Sequence, residues 1–134
     1  MSLMESCIAL TVVCTMMAIS APSLIRTRQI YRLQSTAREI ASRMQSARIE
    51  AITRNGDCRV NVLSPTSYVL ECQDGPWRTI ESISVPAGIT VSANNRPEFH
   101  RRGNVSPTAT FTVSDRYGHS FKVVVNVNGR VRVQ

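Results

Sequence analysis

A run of uncharged residues near the N-terminus constrains the fold of this chain more than any other feature of its sequence. The run covers residues 6–25, between Glu5 and Arg26, and matches the ~20 residues that a helix needs to cross a bilayer. It contains several serines and threonines, and Pro22 is expected to kink it. A secretory signal fits poorly, because the only charged residue before the run is an acid. We therefore predict a transmembrane or filament-core helix over residues 1–25.

The helix is expected to continue beyond this run with one apolar face. Apolar residues recur at alternating steps of three and four, which is the spacing of a single helix face. They are Ile30, Leu33, Ala37, Ile40, Met44, Ala47 and Ala51. Asn55-Gly56 then gives a stop signal, which predicts an amphipathic helix over residues 26–54. A dimeric coiled coil has a similar spacing, but the small alanines favour packing against a sheet of the same chain.

The remaining residues, 55–134, alternate between short β-like runs and turn residues. They predict a head built from a mostly antiparallel sheet that packs against the helix, and hence an α+β fold. The Asn128-Gly129 pair between valine-rich runs is the clearest hairpin signal. The predicted strands are Cys58–Leu63, Tyr68–Cys72, Thr79–Val85, Ile89–Ser92, Ala109–Ser114, Ser120–Val127 and Arg130–Val133.

Two of the four cysteines are placed to form a disulfide. Cys58 and Cys72 lie symmetrically about the predicted hairpin turn at Pro65, so they should face one another across two strands. A disulfide between them would close a loop of ~15 residues, worth about 3 kcal/mol in the chain-entropy model, and would indicate an extracytoplasmic head. Cys7 and Cys14 lie in the apolar helix and are interpreted as small hydrophobic residues.

The chain is strongly basic, with 16 Lys and Arg against 9 Asp and Glu, a net charge of +7. All of the bases except Lys122 are arginines. After Asp115 the chain contains Arg116, Lys122, Arg130 and Arg132 but no acid. This balance excludes an acidic disordered tail and suggests an anionic partner, such as nucleic acid or lipid headgroups.

The sequence contains no recognisable catalytic or metal-binding motif. It has no nucleophile elbow, phosphate-binding glycine loop, zinc spacing or pair of carboxylates. The two histidines, His100 and His119, have no partner at ligand spacing and are expected to be surface or turn residues. We predict that the protein is not an enzyme and uses no metal and no cofactor.

The N-terminus resembles the type IV pilin family, which includes the pseudopilins of type II secretion. The resemblance rests on Glu5, the apolar run that follows it and Pro22. It implies a type IV pilin fold, removal of a leader by prepilin peptidase and N-methylation of Met1. It also implies that Glu5 pairs with a neighbouring pilin subunit in a filament. The protein would lie in the bacterial inner membrane as a single-pass protein with its head in the periplasm, and later on the pilus at the cell surface.

Three further segments resemble the FimT and GspH subgroup of minor pilins and pseudopilins: residues 37–52, 99–103 and 128–133. In FimT-type proteins the terminal Gly-Arg-x-Arg motif is tied to DNA capture in natural transformation. The resemblance implies that Arg130 and Arg132 contact DNA and that the turn at Gly129 presents them. Further bases that could widen the patch are Arg116, Lys122, Arg101 and Arg102.

Two hypotheses follow from these residues. In an extended segment Arg130 and Arg132 would project from one face ~6–7 Å apart, near the spacing of successive phosphates. The first hypothesis is a minor pilin that binds the backbone of double-stranded DNA without sequence preference, and with a strong dependence on salt. The second is a structural minor pilin or GspH-like pseudopilin that primes or caps a type IV pilus or secretion pseudopilus without binding DNA. Its arginines would then only protect a solvated edge strand.

Overall fold

The computed structural model describes residues 2–134, which form one long helix followed by eight strands. The predicted modification of Met1 lies outside the described residues. The chain divides into two compact units, one up to Arg32 and one from Leu33 to Gln134. The elements in chain order are α1 (Leu3–Arg54), β1 (Cys58–Ser64), β2 (Ser67–Gln73), β3 (Trp77–Ser84), β4 (Ile89–Ala93), β5 (Glu98–Phe99), β6 (Ala109–Asp115), β7 (Ser120–Val125) and β8 (Val131–Val133).

The first unit contains the apolar segment of α1 and, after it, three arginines, Arg26, Arg28 and Arg32. The helix continues through Pro22 rather than ending there. Its hydroxyl groups bond back to the helix itself: Thr11 donates to the Cys7 carbonyl at 2.7 Å and Ser20 to the Met16 carbonyl at 3.0 Å. Because these hydroxyls are already satisfied, they are compatible with apolar surroundings. Within the described residues, α1 is long and apolar enough to cross a membrane by length and composition.

In the second unit the apolar face of α1 packs against the strands, as predicted. The buried helix residues are Leu33, Thr36, Ala37, Ile40, Met44, Ala47 and Ala51. They share one core with buried strand residues such as Val60, Phe111 and Val123. Six of the seven predicted face residues are therefore buried, and Ile30, which belongs to the first unit, is exposed. The small alanines let the helix approach the sheets closely, so packing within the chain explains the apolar periodicity.

The strands form two four-stranded antiparallel sheets rather than one. The strand order is β3-β2-β1-β5 in the first sheet and β4-β6-β7-β8 in the second. The prediction of a mostly antiparallel head is confirmed, but the division into two sheets was not predicted. The two-residue strand β5 was also missed, because a segment so short has no detectable period. The other seven strands begin and end within two residues of their predicted bounds.

The predicted disulfide between Cys58 and Cys72 is present. The two residues are partners in the antiparallel pairing of β1 with β2, and their Cα atoms are 4.0 Å apart. Both cysteines are buried in the core. Cys7 and Cys14 are free and exposed in the first unit. The disulfide therefore connects two adjacent strands of the first sheet.

Candidate nucleic-acid interface

The edge strand β8 presents the two arginines of the Gly-Arg-x-Arg motif. Val131 is half-buried and packs against the core, whereas Arg130 and Arg132 on either side of it are exposed. Successive side chains of a strand point to opposite faces, so Arg132 lies on the outer face of the second sheet, and Arg130 is exposed directly before the strand. β8 begins at Val131, one residue later than predicted, and Arg130 is the last residue of the preceding turn.

Lys122 on β7 lies on the same outer face. Its backbone exchanges two hydrogen bonds with Gln134: Lys122 N–H donates to the Gln134 carbonyl at 2.8 Å, and Gln134 N–H donates to the Lys122 carbonyl at 2.7 Å. Arg132 pairs with Val124, so Lys122 and Arg132 are diagonal neighbours about 7–8 Å apart. The sheet therefore places Lys122 and Arg132 side by side on its outer face, and Arg130 precedes the same strand.

A five-residue turn, residues 126–130, connects β7 to β8. Gly129 N–H donates to the Asn126 carbonyl at 2.8 Å, and Asn126 N–H donates to the Arg130 carbonyl at 3.0 Å. Gly129 has a φ of 75°, in the left-handed region that favours glycine. The Asn-Gly signal therefore located the hairpin correctly, although the connection is longer than the two residues that such a pair most often forms.

Arg101 and Arg102 occupy a second turn, residues 100–104. Gly103 N–H donates to the His100 carbonyl at 2.8 Å and His100 N–H to the Asn104 carbonyl at 2.9 Å, which leaves both arginines exposed between them. The 100–104 turn is connected to the 126–130 turn, because Val105 N–H donates to the Val127 carbonyl at 2.8 Å. The fold thus brings Arg101 and Arg102 next to the C-terminal hairpin.

The two turns touch at their glycines, above a helix residue that sequence reasoning did not single out. A Cβ atom on Gly129 would lie 2.3 Å from the Gly103 carbonyl oxygen and 2.8 Å from Nε of Arg48. A Cβ atom on Gly103 would lie 3.0 Å from the same Nε atom. Arg48 on α1 therefore fills the notch between the turns. No local pattern marks this arginine, since its partners are distant in the sequence.

Five exposed bases near the two turns have no acidic partner among the described residues. We name Arg101, Arg102, Lys122, Arg130 and Arg132 the basic surface. Most acids of the second unit pair with other residues. Three form ion pairs with arginines: Arg43–Glu81 at 2.7 Å, Arg54–Glu50 at 2.7 Å and Arg59–Glu71 at 2.6 Å. Two contact histidines: Asp57 with His100 at 3.0 Å and Asp115 with His119 at 2.9 Å. Within residues 2–134, no ion pair involves a member of the basic surface. Its positive charge is therefore available to an external anion.

Arg116 does not join this surface. It lies in the turn between β6 and β7, at the opposite end of β7 from Arg130, and its guanidinium packs against Gly88, where a Cβ atom would be 3.2 Å away. Its position at the far end of β7 therefore removes Arg116 from the candidate site.

Asp115 lies next to this turn. Burial would raise the pKa of its carboxyl group, but hydrogen bonds from His119 and from backbone N–H groups lower that pKa below its usual range.

A polar cleft of about 430 Å³ borders the 100–104 turn. It contains the Asp57–His100 pair, and its lining residues are Asn55, Gly56, Asp57, Gln73, His100, Arg101, Arg102 and Asn104. Among the residues that the structure describes, no group of three His, Cys, Asp or Glu side chains is placed to hold a metal ion. The predicted DNA contacts and this cleft share Arg101 and Arg102.

Comparison with known proteins identifies the family. The family described as type II transport protein GspH matches residues 36–129, more than half of the chain. The matched segment ends at Gly129, so Arg130 and Arg132 follow directly after it. No curated protein is detectably similar in sequence.

Two solved structures have similar folds. The minor pseudopilin EpsH from the type II secretion system of Vibrio cholerae is 14% identical with a TM-score of 0.67, and the match covers 77% of this chain and 96% of that one. The type IV minor pilin FimU of Pseudomonas aeruginosa is 18% identical with a TM-score of 0.65, and the match covers 79% of this chain and 90% of that one. The predicted α+β pilin fold is confirmed. The chain belongs to the GspH family and shares its fold with these minor pilins and pseudopilins.

Proposed function

We propose that this protein binds double-stranded DNA through the basic surface and delivers it for uptake in natural transformation. The observation that carries the proposal is that a turn and a hairpin contribute five bases to one surface, and that none of these five bases forms an ion pair within residues 2–134. Arg101 and Arg102 come from the 100–104 turn, and Arg130, Arg132 and Lys122 come from the C-terminal hairpin. Unpaired arginines gathered in this way attract a polyanion, because no neighbouring carboxylate cancels their charge.

The arrangement suits the phosphate backbone rather than the bases of DNA. In an extended segment Arg130 and Arg132 would project from one face ~6–7 Å apart, close to the distance between successive phosphates on one strand. The guanidinium group donates in pairs to phosphate oxygens and keeps its charge at all physiological pH values. Five phosphate contacts would give a slope of about −4 to −5 for the logarithm of affinity against the logarithm of salt concentration. Little sequence preference is expected.

The proposal places the protein in a filament. The N-terminal segment of residues 1–25 would anchor the chain in the bacterial inner membrane with the head in the periplasm, after prepilin peptidase has cut the precursor. Glu5 and Pro22 belong to the pattern that other pilins share, and Glu5 would pair with a neighbouring subunit during assembly. The assembled subunit would then present its basic surface on the pilus, at the cell surface, to extracellular DNA.

A purely structural role is the second candidate. The family match supports it, because it describes a type II transport protein and includes neither Arg130 nor Arg132. Under this alternative the protein primes or caps a pilus or a secretion pseudopilus, and the exposed arginines of β8 discourage edge-to-edge aggregation. It predicts DNA binding no stronger than that of any equally basic protein.

Titration of duplex DNA against the full-length chain in a non-ionic detergent distinguishes the two candidates. The test variant is Arg130→Ala with Arg132→Ala, and the control is Arg38→Ala with Arg78→Ala. The control removes the same charge from exposed arginines of α1 and β3 outside the basic surface. We expect the test variant to lose at least tenfold in affinity and about two units of salt slope. Equal losses in both variants would rule out the assignment to β8.

A further inference from the structure

Arg48 occupies an unusual position for a charged side chain. It extends from the C-terminal part of α1 into the notch between Gly103 and Gly129, and its Nε atom is buried with no hydrogen-bond partner within residues 2–134. No carboxylate of the described residues forms an ion pair with it. A buried N–H group that lacks a partner is costly. This cost would be offset if the guanidinium group stabilised the two turns between which it lies.

The notch exists because both turns carry glycine where they face the helix. A Cβ atom on Gly129 would lie 2.8 Å from Nε of Arg48 and 3.1 Å from its Cζ atom, and a Cβ atom on Gly103 would lie 3.0 Å from Nε. The planar guanidinium thus occupies the space that two side chains would otherwise fill. Arg48 therefore lies against both turns of the basic surface, whereas Ile52, one helical turn further along α1, lies near Gly103, where a Cβ atom would be 3.3 Å from its Cδ1 atom.

We propose that Arg48 is a positioning residue for DNA binding: it holds the 100–104 and 126–130 turns in register, so that Arg101, Arg102 and Arg130 meet one duplex together. This inference rests on the function proposed above. Preorganised charges bind more tightly than mobile ones, since less freedom is lost on binding. Loss of the planar group would therefore loosen both turns and weaken DNA binding, although every base of the basic surface remained.

Amide hydrogen exchange and DNA titration on the same full-length samples test this proposal. The variants are Arg48→Met, which keeps the apolar stem, and Arg48→Lys, which keeps the charge but not the planar group and also serves if Arg48→Met does not fold. Arg38→Met is the matched control, because Arg38 is exposed on the same helix. The informative amides are those of Gly103 and Gly129, which bond within the two turns. The amide of Val85, which bonds to the Thr66 carbonyl at 2.8 Å, reports on the rest of the head.

We expect Arg48→Met and Arg48→Lys to increase exchange at Gly103 and Gly129 about tenfold or more, with little change at Val85, as for local opening. DNA affinity should fall about three- to tenfold in both variants and by less than twofold in Arg38→Met. The proposal is overturned if exchange rises equally at all three amides, because Arg48 would then only stabilise the fold. Lower affinity without faster exchange in the turns would make Arg48 a direct phosphate ligand and also overturn it.

Unchanged affinity despite loosened turns would likewise overturn the positioning role. Failure of the proposed function is seen separately, in the wild-type protein. If wild-type affinity for DNA equals that of a basic control protein, DNA binding itself is wrong, and the positioning role falls with it. The exchange rates then still report whether Arg48 holds the turns together.

Discussion

Replacing Gly129 by alanine should damage the head more than the same replacement at another turn glycine. Gly129 has a φ of 75°, and a Cβ atom there would lie 2.3 Å from the Gly103 carbonyl oxygen. Gly118 has a φ of 89° and nothing within 4 Å of its Cβ position. Gly118→Ala therefore serves as a matched control, with the same backbone strain but no steric collision.

The expected loss of stability has two contributions, the backbone strain of a left-handed alanine and the steric collision of its Cβ atom. An alanine in the left-handed region costs about 1–2 kcal/mol, and this cost is shared by both variants. The collision at Gly129 adds a packing cost of about 1–3 kcal/mol, because backbone atoms of the 100–104 turn must move. A difference of that size corresponds to about 4 °C in melting temperature for each kcal/mol in a domain of this size.

Thermal unfolding of the full-length chain in a non-ionic detergent, followed by circular dichroism, measures the difference. We expect Gly129→Ala to melt about 4–12 °C below Gly118→Ala, from the packing cost above. Equal melting temperatures for the two variants would refute the close contact between Gly129 and Gly103. They would also remove the argument that the two turns form one surface.

Three further predictions concern the rest of the head. Replacing Cys58 and Cys72 together by alanine should lower the free energy of unfolding by about 3 kcal/mol in a denaturant titration, because the loop is no longer closed; an unchanged midpoint would contradict this. Because the pKa of Asp115 is lowered in the folded state, its carboxylate stabilises the fold at pH values above the ordinary carboxyl pKa. That stabilisation is lost as the pH falls through the pKa of Asp115 in the folded protein. Asp115→Asn should therefore be less stable than wild type at pH 6, and the gap in melting temperature should close toward pH 2; a constant gap would exclude the linkage. Burial raises the pKa of Tyr68 to about 12, and its hydroxyl has no hydrogen-bond partner within residues 2–134. Tyr68→Phe should therefore leave stability unchanged or higher, and a loss above 1 kcal/mol would reveal a missing partner.

The sequence was most informative where structure depends on local spacing. The steps of three and four predicted the buried face of α1, and the Asn55-Gly56 signal placed its end within one residue of Arg54. The symmetry of Cys58 and Cys72 about the hairpin turn predicted their pairing, because an antiparallel register is determined by the position of its turn. Each of these features depends on residues within one helix or one hairpin, so it can be predicted from spacing along the sequence.

The sequence was least informative where distant segments meet. The pairing of Phe99 with Cys58 forms β5, and a two-residue strand leaves no pattern. The expectation that Arg116 joins the C-terminal bases failed because sequence proximity does not show at which end of β7 a side chain lies. The role of Arg48 was missed for the same reason, since the glycines that frame it become neighbours only in the folded chain.

The C-terminal strand keeps the proposed binding residues apart from the residues that form the core of the head. β8 is a three-residue edge strand, and its outward-facing Arg132 contributes nothing to the core. Arg130 and Arg132 also lie after the segment that carries the family match. Replacing these two arginines is therefore expected to change the surface charge of the head while leaving its hydrophobic core intact.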